Sequence, residues 1–315
     1  MFLSQSYEQW RLLTPLNIRT RKLWGWGHSI QKFVSVGEPQ PRASDELLIV
    51  SDYGGDHPRS THHIYCYLVI RKIRPELFAR LKAIRNSLLD NGRTMSYKRL
   101  DDAQRQAALI PFLGAAADID GHVVAIAVDK RRKWLSTIPD VANDFQKALN
   151  LNTFWKPKPL EAMIRKVHFT AIILSLWSRP YTNVTWVTDQ DEFVANDSRH
   201  DDAIKALERI SSFYLSHPMG IFRLNTTGQY PKVGGYEDVC AIPDLAAGML
   251  SEISTQLNKG GRWEETIRRD IGANIPIKAG IIANWFWDED MMLRKTFISI
   301  DTENSNFSVR KISMT

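Results

Sequence analysis

Three short apolar runs in this sequence each lead directly into an aspartate. A continuous apolar run of about four to eight residues is typical of a strand that is covered on both faces of a sheet. Open α/β sheets bind ligands just outside the carboxyl ends of such strands, where the connecting loops diverge. Aspartate also caps turns and helices, and this simpler explanation is open for each of the three. The runs cover residues 47–50, 123–128 and 184–187, and the aspartates are Asp52, Asp129 and Asp189.

The order of elements along the chain predicts an α/β protein. The first apolar run and residues 63–70 form two strands of a hairpin, and Pro75 begins a helix that Asn91 and Gly92 end. The same patterns predict helices over 161–177, 202–213 and 244–257 and strands over 221–224 and 296–300.

Composition along the chain divides it into three parts. Residues 1–45 combine basic and aromatic side chains and are interpreted as an N-terminal arm, 46–257 as the main domain and 258–315 as a C-terminal extension. A polar stretch over about 130–158 interrupts the main domain and is interpreted as an inserted loop or lid.

Four motifs of the main domain occur in an order that resembles a known family. The chain is similar to an RNase H-like bacterial family of unknown function, whose members have a strand ending in Asp-Glu-Ser-Gly, a short Ser-Lys-Leu motif and a closing Ala-Asp helix. The corresponding stretches are Ser51-Asp52-Tyr53-Gly54-Gly55, Met95-Ser96-Tyr97-Lys98-Arg99-Leu100, Thr188-Asp189 and Ile242-Pro243-Asp244-Leu245-Ala246. The chain departs from the family at Tyr53, where the family has Glu, at Tyr97, which separates Ser from Lys, and at Pro243, which replaces Ala.

The resemblance implies an RNase H-like mixed sheet flanked by helices, with the first and fourth strands as neighbours at its middle. Adjacent strands lie about 4.8 Å apart, so Asp52 and Asp189 are expected to share one site. Asp129 is expected on the third strand, at the sheet edge, about twice that distance from Asp52, and ranks below the other two.

The resemblance also implies metal-dependent hydrolysis of phosphodiester bonds. Mg²⁺ and Mn²⁺ take carboxylate oxygens, and a pair of such ions binds the scissile phosphate and acidifies the attacking water. The expected groups are Asp52, Asp189 and Asp244 as ligands, Glu161 as a fourth acid and Lys98 as a phosphate contact; Asp56, Glu237 and Asp238 are spare acidic candidates. A simpler explanation of Asp244 and Glu161 is that each lies in the first turn of a helix, where the helix dipole favours negative charge. Gly248, one turn after Asp244, is expected to leave room for the substrate.

Histidines offer a rival site. His57, His62 and His63 follow Asp52 closely, and imidazoles together with a carboxylate bind Zn²⁺, although their spacing matches no standard motif. His57 is alternatively a proton shuttle beside Asp52. The two cysteines, Cys66 and Cys240, are too few for a disulfide framework, which favours a cytoplasmic protein with buried thiols.

The charge balance allows a nucleic-acid partner. The chain has 41 basic and 35 acidic residues and a formal net charge of +6. Lys130, Arg131, Arg132 and Lys133 are followed by Trp134, so these cations are candidates to grip phosphates while the ring stacks on a base. A solvated surface is the ordinary explanation of such a run. No apolar run approaches the roughly 20 residues that a membrane span needs.

Two hypotheses follow. The first is a Mg²⁺- or Mn²⁺-dependent nuclease of the bacterial cytoplasm that acts on DNA or RNA by a two-metal mechanism. The second is a catalytically silent RNase H-like protein that binds nucleic acid or acts as a scaffold, in a bacterial toxin or defence system, and Tyr53 in place of Glu favours it. The sequence leaves open whether the substrate is DNA or RNA, and whether the chain forms a homodimer or binds a partner protein.

Overall fold

The computed structural model describes residues 25–35, 46–71, 74–132, 142–189, 192–227, 236–257, 263, 266–267, 275–303 and 306–314. The helices are α1 (Gly25–Ser35), α2 (Pro75–Leu88), α3 (Ala103–Ala117), α4 (Ala142–Leu149), α5 (Pro157–Trp177), α6 (Asp197–Ser211), α7 (Tyr236–Leu257) and α8 (Ile277–Phe286). The strands are β1 (Glu46–Gly54), β2 (His62–Ile70), β3 (Gly121–Asp129), β4 (Asn183–Thr188), β5 (Phe222–Thr226), β6 (Thr266–Ile267), β7 (Arg294–Glu303) and β8 (Asn306–Met314).

The strands form a mixed sheet in the order β5-β4-β1-β2-β3-β7-β8-β6. β2 pairs antiparallel with β3, β3 pairs parallel with β7, and β7 pairs antiparallel with β8. Seven strands have five or more residues, and the two-residue β6 is added beside β8. The α/β class predicted from the sequence is confirmed, with helices flanking a mixed sheet, and β1 and β4 are neighbours as expected.

The middle of the sheet is apolar on both faces. Every residue of β2 except His63 and every residue of β3 except Gly121 is buried. Strands that are covered on both faces consist of continuous apolar runs rich in β-branched and aromatic residues, so they are easily recognised in the sequence. The prediction that β3 lies at the sheet edge is wrong, because β7 pairs with it from His122–Arg294 to Val128–Ile300. The segment after residue 257 therefore extends the central sheet.

Helix α7 begins earlier than its sequence pattern predicts. It starts at Tyr236, so Pro243 lies inside it and Asp244 lies in its third turn. Proline inside a helix has no N–H for the carbonyl four residues earlier, but it does not always end the helix. The sequence pattern instead predicts a helix that begins at Asp244, directly after Pro243.

The described residues fall into two compact units. One unit contains α1, α4, α5, α6, β5 and the first residues of β1 and β4. The other contains the ends of β1 and β4, the remaining strands, and α2, α3, α7 and α8. In the stretch interpreted as an inserted loop, residues 142–149 form α4, and α5 begins at Pro157. Among the described residues no helix combines the length and the apolar character needed to cross a membrane.

Candidate active site

Asp52 lies near the end of β1, directly after the buried residues 47–51. Its side chain is half-buried, and its Oδ1 accepts a hydrogen bond of 2.6 Å from the backbone N–H of Tyr53. Burial and the negative charges of Asp244 and Asp189 raise the pKa of Asp52 well above its ordinary value. The Tyr53 N–H and the Lys98 charge lower this pKa, but they do not outweigh the three raising effects. Asp52 therefore lies where negative charge is crowded.

Asp189 directly follows β4, the strand next to β1 in the sheet. Its side chain is exposed, and its Oδ1 accepts a hydrogen bond of 3.1 Å from the Thr227 hydroxyl. Its charge raises the pKa of both Asp52 and Asp244, so all three carboxylates lie within electrostatic range of one another. The sequence-based expectation that these three groups share one metal site stays a prediction.

Asp244 projects from α7 and is held by a short turn of the chain. Its Oδ2 accepts a hydrogen bond of 2.8 Å from the backbone N–H of Tyr97, and its carboxylate accepts another from the Ser96 hydroxyl. Burial raises the pKa of Asp244 and the charge of Asp189 adds to this, against the lowering effect of the two hydrogen bonds and of Lys98. Because Asp244 lies inside α7, the explanation of its charge by the helix dipole is wrong.

Two glycines let α7 approach the end of β1 and the turn at Tyr97–Arg99. A Cβ on Gly54 would lie 2.9 Å from the carbonyl oxygen of Ala247 on α7. A Cβ on Gly248 would lie 2.1 Å from Cγ of Tyr97, whose ring is buried. The expectation that Gly248 leaves room for substrate is therefore wrong, since the Tyr97 ring fills that space.

Tyr97 connects Asp244 to its surroundings, and its role was missed in the sequence. Besides its N–H bond to Asp244, its hydroxyl donates to Glu252 Oε2 at 3.4 Å. Lys278 Nζ lies 5.0 Å from the centre of its ring. In the sequence Tyr97 looks like an interruption of a motif, and only the tertiary structure reveals the glycine opposite it.

Lys98 and Tyr53 complete the surroundings of the three aspartates. The exposed Lys98 lowers the pKa of both Asp52 and Asp244, so its charge lies near them. The Tyr53 hydroxyl makes hydrogen bonds of 2.9 Å with Ser51 Oγ and 3.0 Å with Thr188 Oγ1. Tyr53 thus links the ends of β1 and β4 and supplies no carboxylate to the site.

The ligand types at this site suit a hard divalent cation. Asp52, Asp189 and Asp244 offer the carboxylate oxygens that such a cation prefers. Burial raises the pKa of the Cys240 thiol and the charges of Asp52 and Asp189 raise it further, so Cys240 does not offer a thiolate ligand to the ion. Among the described residues, the three carboxylates are not a group whose ligand atoms all lie within 4.8 Å of one another. One ion held by all three does not fit this arrangement. A pair of ions about 4 Å apart needs only that each ion reach two of the groups.

No protein-family model, curated protein or solved structure matches this chain.

Glu161 is engaged in an ion pair away from the first turn of its helix. Because α5 begins at Pro157, Glu161 lies in the second turn, where its Oε1 accepts a 2.7 Å hydrogen bond from Arg165 Nε. Both side chains are buried. The explanation of Glu161 by the helix dipole is thus wrong, and its Oε1 is engaged by Arg165.

Three of the residues proposed to grip nucleic acid have partners within the protein. Lys130 Nζ donates to the carbonyl of His57 at 2.8 Å, and Arg131 donates through Nε and Nη2 to Asp129. The Arg132 guanidinium lies 5.4 Å from the centre of the Phe307 ring. Lys133 and Trp134 lie outside the described residues.

His62, Asp129 and Asp301 are the one group among the described residues whose ligand atoms all lie within 4.8 Å of one another. His62 Nε2 lies 2.9 Å from Asp301 Oδ1, and Arg310 donates to Asp301 Oδ2 at 2.6 Å. Burial alone would raise the pKa of Asp129 and of Asp301, but hydrogen bonds from Arg131 and from His62 and Arg310 outweigh it and lower both.

Asp129 is paired with Arg131 and Asp301 with Arg310, so the negative charge of each carboxylate is balanced without a metal ion. Asp301 was missed because nothing in the sequence connects it with His62, 239 positions away. Of the other histidines, His63 pairs with Asp56 at 3.1 Å, and the exposed His57 lies 3.4 Å from Ser251 Oγ.

The two spare acids of α7 surround a buried arginine. Arg85 Nη1 donates to Glu237 at 2.8 Å, and Arg85 Nε lies 3.5 Å from Asp238 Oδ1. Burial raises the pKa of Asp238 to about 6, since the Arg85 charge compensates for it only in part. This cluster connects the start of α7 to α2.

Proposed function

We propose that this chain is a divalent-metal-dependent nuclease with an RNase H-like fold, which hydrolyses phosphodiester bonds of DNA or RNA. The observation that supports it most is the crowding of negative charge at Asp52, whose pKa is raised by burial and, in addition, by the charges of Asp244 and Asp189. Three carboxylates that repel one another near an exposed lysine form a place where a divalent cation lowers the electrostatic energy.

The sheet supports the RNase H-like part of the proposal. In that fold the first and fourth strands are neighbours at the middle of the sheet. Here β1 lies beside β4, with β5 on one side and the β2–β3 pair on the other. The strand order explains why residues 52 and 189, far apart in sequence, approach each other.

Under this proposal Asp52, Asp189 and Asp244 hold Mg²⁺ or Mn²⁺. When bound, such ions stabilise the charge that develops on the phosphate and acidify an attacking water. The N–H of Tyr97 and the hydroxyl of Ser96 fix the orientation of Asp244. Lys98, whose charge lies near Asp52 and Asp244, would contact a phosphate oxygen of the substrate. Glu161 is not included, because it is paired with Arg165.

A second function is favoured by one observation. The Tyr53 hydroxyl is bonded to Ser51 and Thr188 at the position where the resembling family has a carboxylate. A site with one acidic ligand fewer supports a catalytically silent protein that binds nucleic acid or acts as a scaffold.

Cleavage of labelled oligonucleotides tests the proposal. The purified chain is incubated with end-labelled single- and double-stranded DNA and RNA in Mg²⁺, in Mn²⁺ or in EDTA. Cleavage is expected with a metal ion, and neither EDTA samples nor the Asp52→Asn variant should cleave. Asp290→Asn, which alters an exposed aspartate after α8, is the matched control and should retain full activity. Failure to cut any substrate with either metal, or an Asp52→Asn variant as active as the wild type, would refute the proposal.

Calorimetric titration with Mn²⁺ separates the two functions. Stoichiometric binding that is lost in Asp189→Asn and retained in Asp290→Asn counts against the silent protein. Absence of Mn²⁺ binding in a chain that still binds nucleic acid supports it.

A further inference from the structure

Phe154 is the most exposed aromatic side chain among the described residues, with 79% of its surface accessible. It lies in residues 150–156, which connect α4 to α5 and are called the Phe154 loop below. An exposed apolar side chain is common on protein surfaces and needs no explanation by itself. The Phe154 loop is unusual because it is held rigidly and surrounded by cations.

Buried Asp202 fixes the Phe154 loop from below. Its carboxylate accepts hydrogen bonds from the backbone N–H groups of Asn152 and Thr153 at 2.6 and 3.0 Å, from the Thr153 hydroxyl, and from Trp155 Nε1 at 2.9 Å. Burial alone would raise the pKa of Asp202, but these hydrogen bonds outweigh it and lower the pKa. One anion thus anchors the residues on both sides of Phe154.

Trp155 provides a second anchor. Its side chain is fully buried, its N–H donates to Gln146 Oε1 at 2.8 Å, and its carbonyl accepts from Gln146 Nε2 at 3.1 Å. The Arg199 guanidinium lies 4.5 Å from the centre of the Trp155 ring. Since the backbone on either side is fixed, Phe154 keeps its exposed position without further loss of chain entropy on binding.

Cations surround the Phe154 loop. Lys205 Nζ donates to Asn152 Oδ1 at 2.7 Å, and Arg209 Nη1 donates to the carbonyl of Ala148 at 3.3 Å. Lys156 and Lys158 lie two and four residues after Phe154, are exposed, and have no ion-pair partner among the described residues. Asp202 is the only acidic side chain of the described residues that bonds to this loop, and it is buried beneath it. The exposed charged residues within the Phe154 loop and at the start of α5, Lys156 and Lys158, are therefore both basic.

The surroundings of Phe154 argue against an apolar partner. The exposed neighbours in the Phe154 loop and at the start of α5 are Asn150, Asn152, Lys156, Pro157 and Lys158. A protein-docking patch or a membrane-inserting loop needs contiguous apolar surface, and one ring among amides and lysines does not supply it. A planar ring beside cations suits bases and phosphates of a single strand, because bases stack on aromatic side chains and phosphates pair with lysines.

We infer that the Phe154 loop binds single-stranded nucleic acid, with Phe154 stacked on a base and Lys156 and Lys158 on neighbouring phosphates. The inference deepens the proposed nuclease function, and it rests on that function for its claim that the bound strand is a substrate. The binding itself requires no divalent ion, so it is measured separately from cleavage.

Fluorescence anisotropy in EDTA tests the inference on the full chain. The probes are labelled oligothymidine and oligouridine of about 20 nucleotides, which is longer than typical single-strand sites, and a duplex of equal length. Phe154→Ala should weaken single-strand binding roughly tenfold, and Phe154→Trp should restore it. The double variant Lys156→Gln with Lys158→Gln should reduce the slope of log affinity against log salt by about 1.4, because each phosphate contact contributes about 0.7.

Matched controls keep the test specific. Tyr181→Ala removes an aromatic side chain that is 66% exposed, and Lys311→Gln removes an exposed lysine; both should bind as the wild type does. Circular dichroism and thermal unfolding of Phe154→Ala should match the wild type, since an exposed ring is removed.

The possible results distinguish failure of the inference from failure of the proposed nuclease function. No single-strand binding by the wild type, or equal binding by Phe154→Ala, overturns the inference. Phe154-dependent binding to phosphatidylserine vesicles without oligonucleotide binding also overturns it, in favour of a membrane surface. Phe154-dependent strand binding in a chain that cleaves nothing with either metal supports the inference and refutes the nuclease. If Phe154→Ala changes neither cleavage nor single-strand binding, the inference is refuted and the nuclease function is supported.

Discussion

Gly248→Ala tests whether the Tyr97 ring sets the position of Asp244. The added Cβ would lie 2.1, 2.3 and 2.6 Å from Cγ, Cδ1 and Cβ of Tyr97, so the buried ring must shift. Overpacking of this kind costs about 1–3 kcal/mol, and replacing glycine by alanine in a helix returns about 1 kcal/mol. The variant should therefore lose up to about 2 kcal/mol of unfolding free energy.

Gly248→Ala should also weaken metal binding. The N–H of Tyr97 is bonded to Asp244 Oδ2 at 2.8 Å, so a shift of Tyr97 disturbs the carboxylate. Hydrogen bonds to charged groups are worth about 1.5–3 kcal/mol, and partial exposure of Asp244 places the loss at the lower end. We expect Mn²⁺ affinity to fall about tenfold, since 1.4 kcal/mol corresponds to a factor of ten.

Urea unfolding and Mn²⁺ calorimetry measure both effects of Gly248→Ala. Gly114→Ala is the matched control, because Gly114 lies inside α3 with nothing within 4 Å of an added Cβ; it should gain about 0.5–1 kcal/mol and bind Mn²⁺ normally. In a Tyr97→Gly background, which removes the Tyr97 Cβ together with the ring, Gly248→Ala should no longer destabilise. If Gly248→Ala is as stable as Gly114→Ala and binds Mn²⁺ like the wild type, the Tyr97 ring does not position Asp244.

Two further predictions concern the buried charges. Asp301→Asn should lower the free energy of unfolding in urea by about 3 kcal/mol, because it leaves Arg310 and His62 without their anion. The exposed control Asp290→Asn should lose less than about 0.5 kcal/mol, and an equally small loss for Asp301→Asn would contradict this account. Burial raises the pKa of Asp238 to about 6 in the folded chain, against an ordinary value of 3.8. Between these pH values the folded chain binds more protons than the unfolded chain, so the free energy of unfolding falls as pH rises. Asp238→Asn should remove this slope from stability measured between pH 4 and 7, and an unchanged slope would show that Asp238 ionises normally.

Local patterns predicted the strands well because the central strands are covered on both faces. Continuous apolar runs at residues 47–50 and 123–128 require burial on both sides, and the structure places them in β1 and β3. The two aspartates expected to meet also follow neighbouring strands, since β4 lies beside β1. These features depend on residues close together in sequence or on strand order.

The errors arise where distant residues decide the outcome. Pro243 resembles a helix start, but packing of α7 carries the helix through it. Gly248 looks like open space until the Tyr97 ring is placed against it. The edge position expected for β3 depended on not knowing that residues 294–303 would pair with it. Neither the fit of one side chain against another nor the pairing of strands distant in sequence produces a hydrophobic periodicity that a single sequence would show.

The parallel pairing of β3 with β7 makes the hydrophobic middle of the sheet depend on residues made late in synthesis. Until Arg294–Glu303 has left the ribosome, one side of Gly121–Asp129 carries unpaired backbone N–H and C=O groups on an almost wholly apolar strand. Such an edge pairs readily with other chains. Nascent or prematurely terminated chains of this protein would consequently be prone to aggregate through β3.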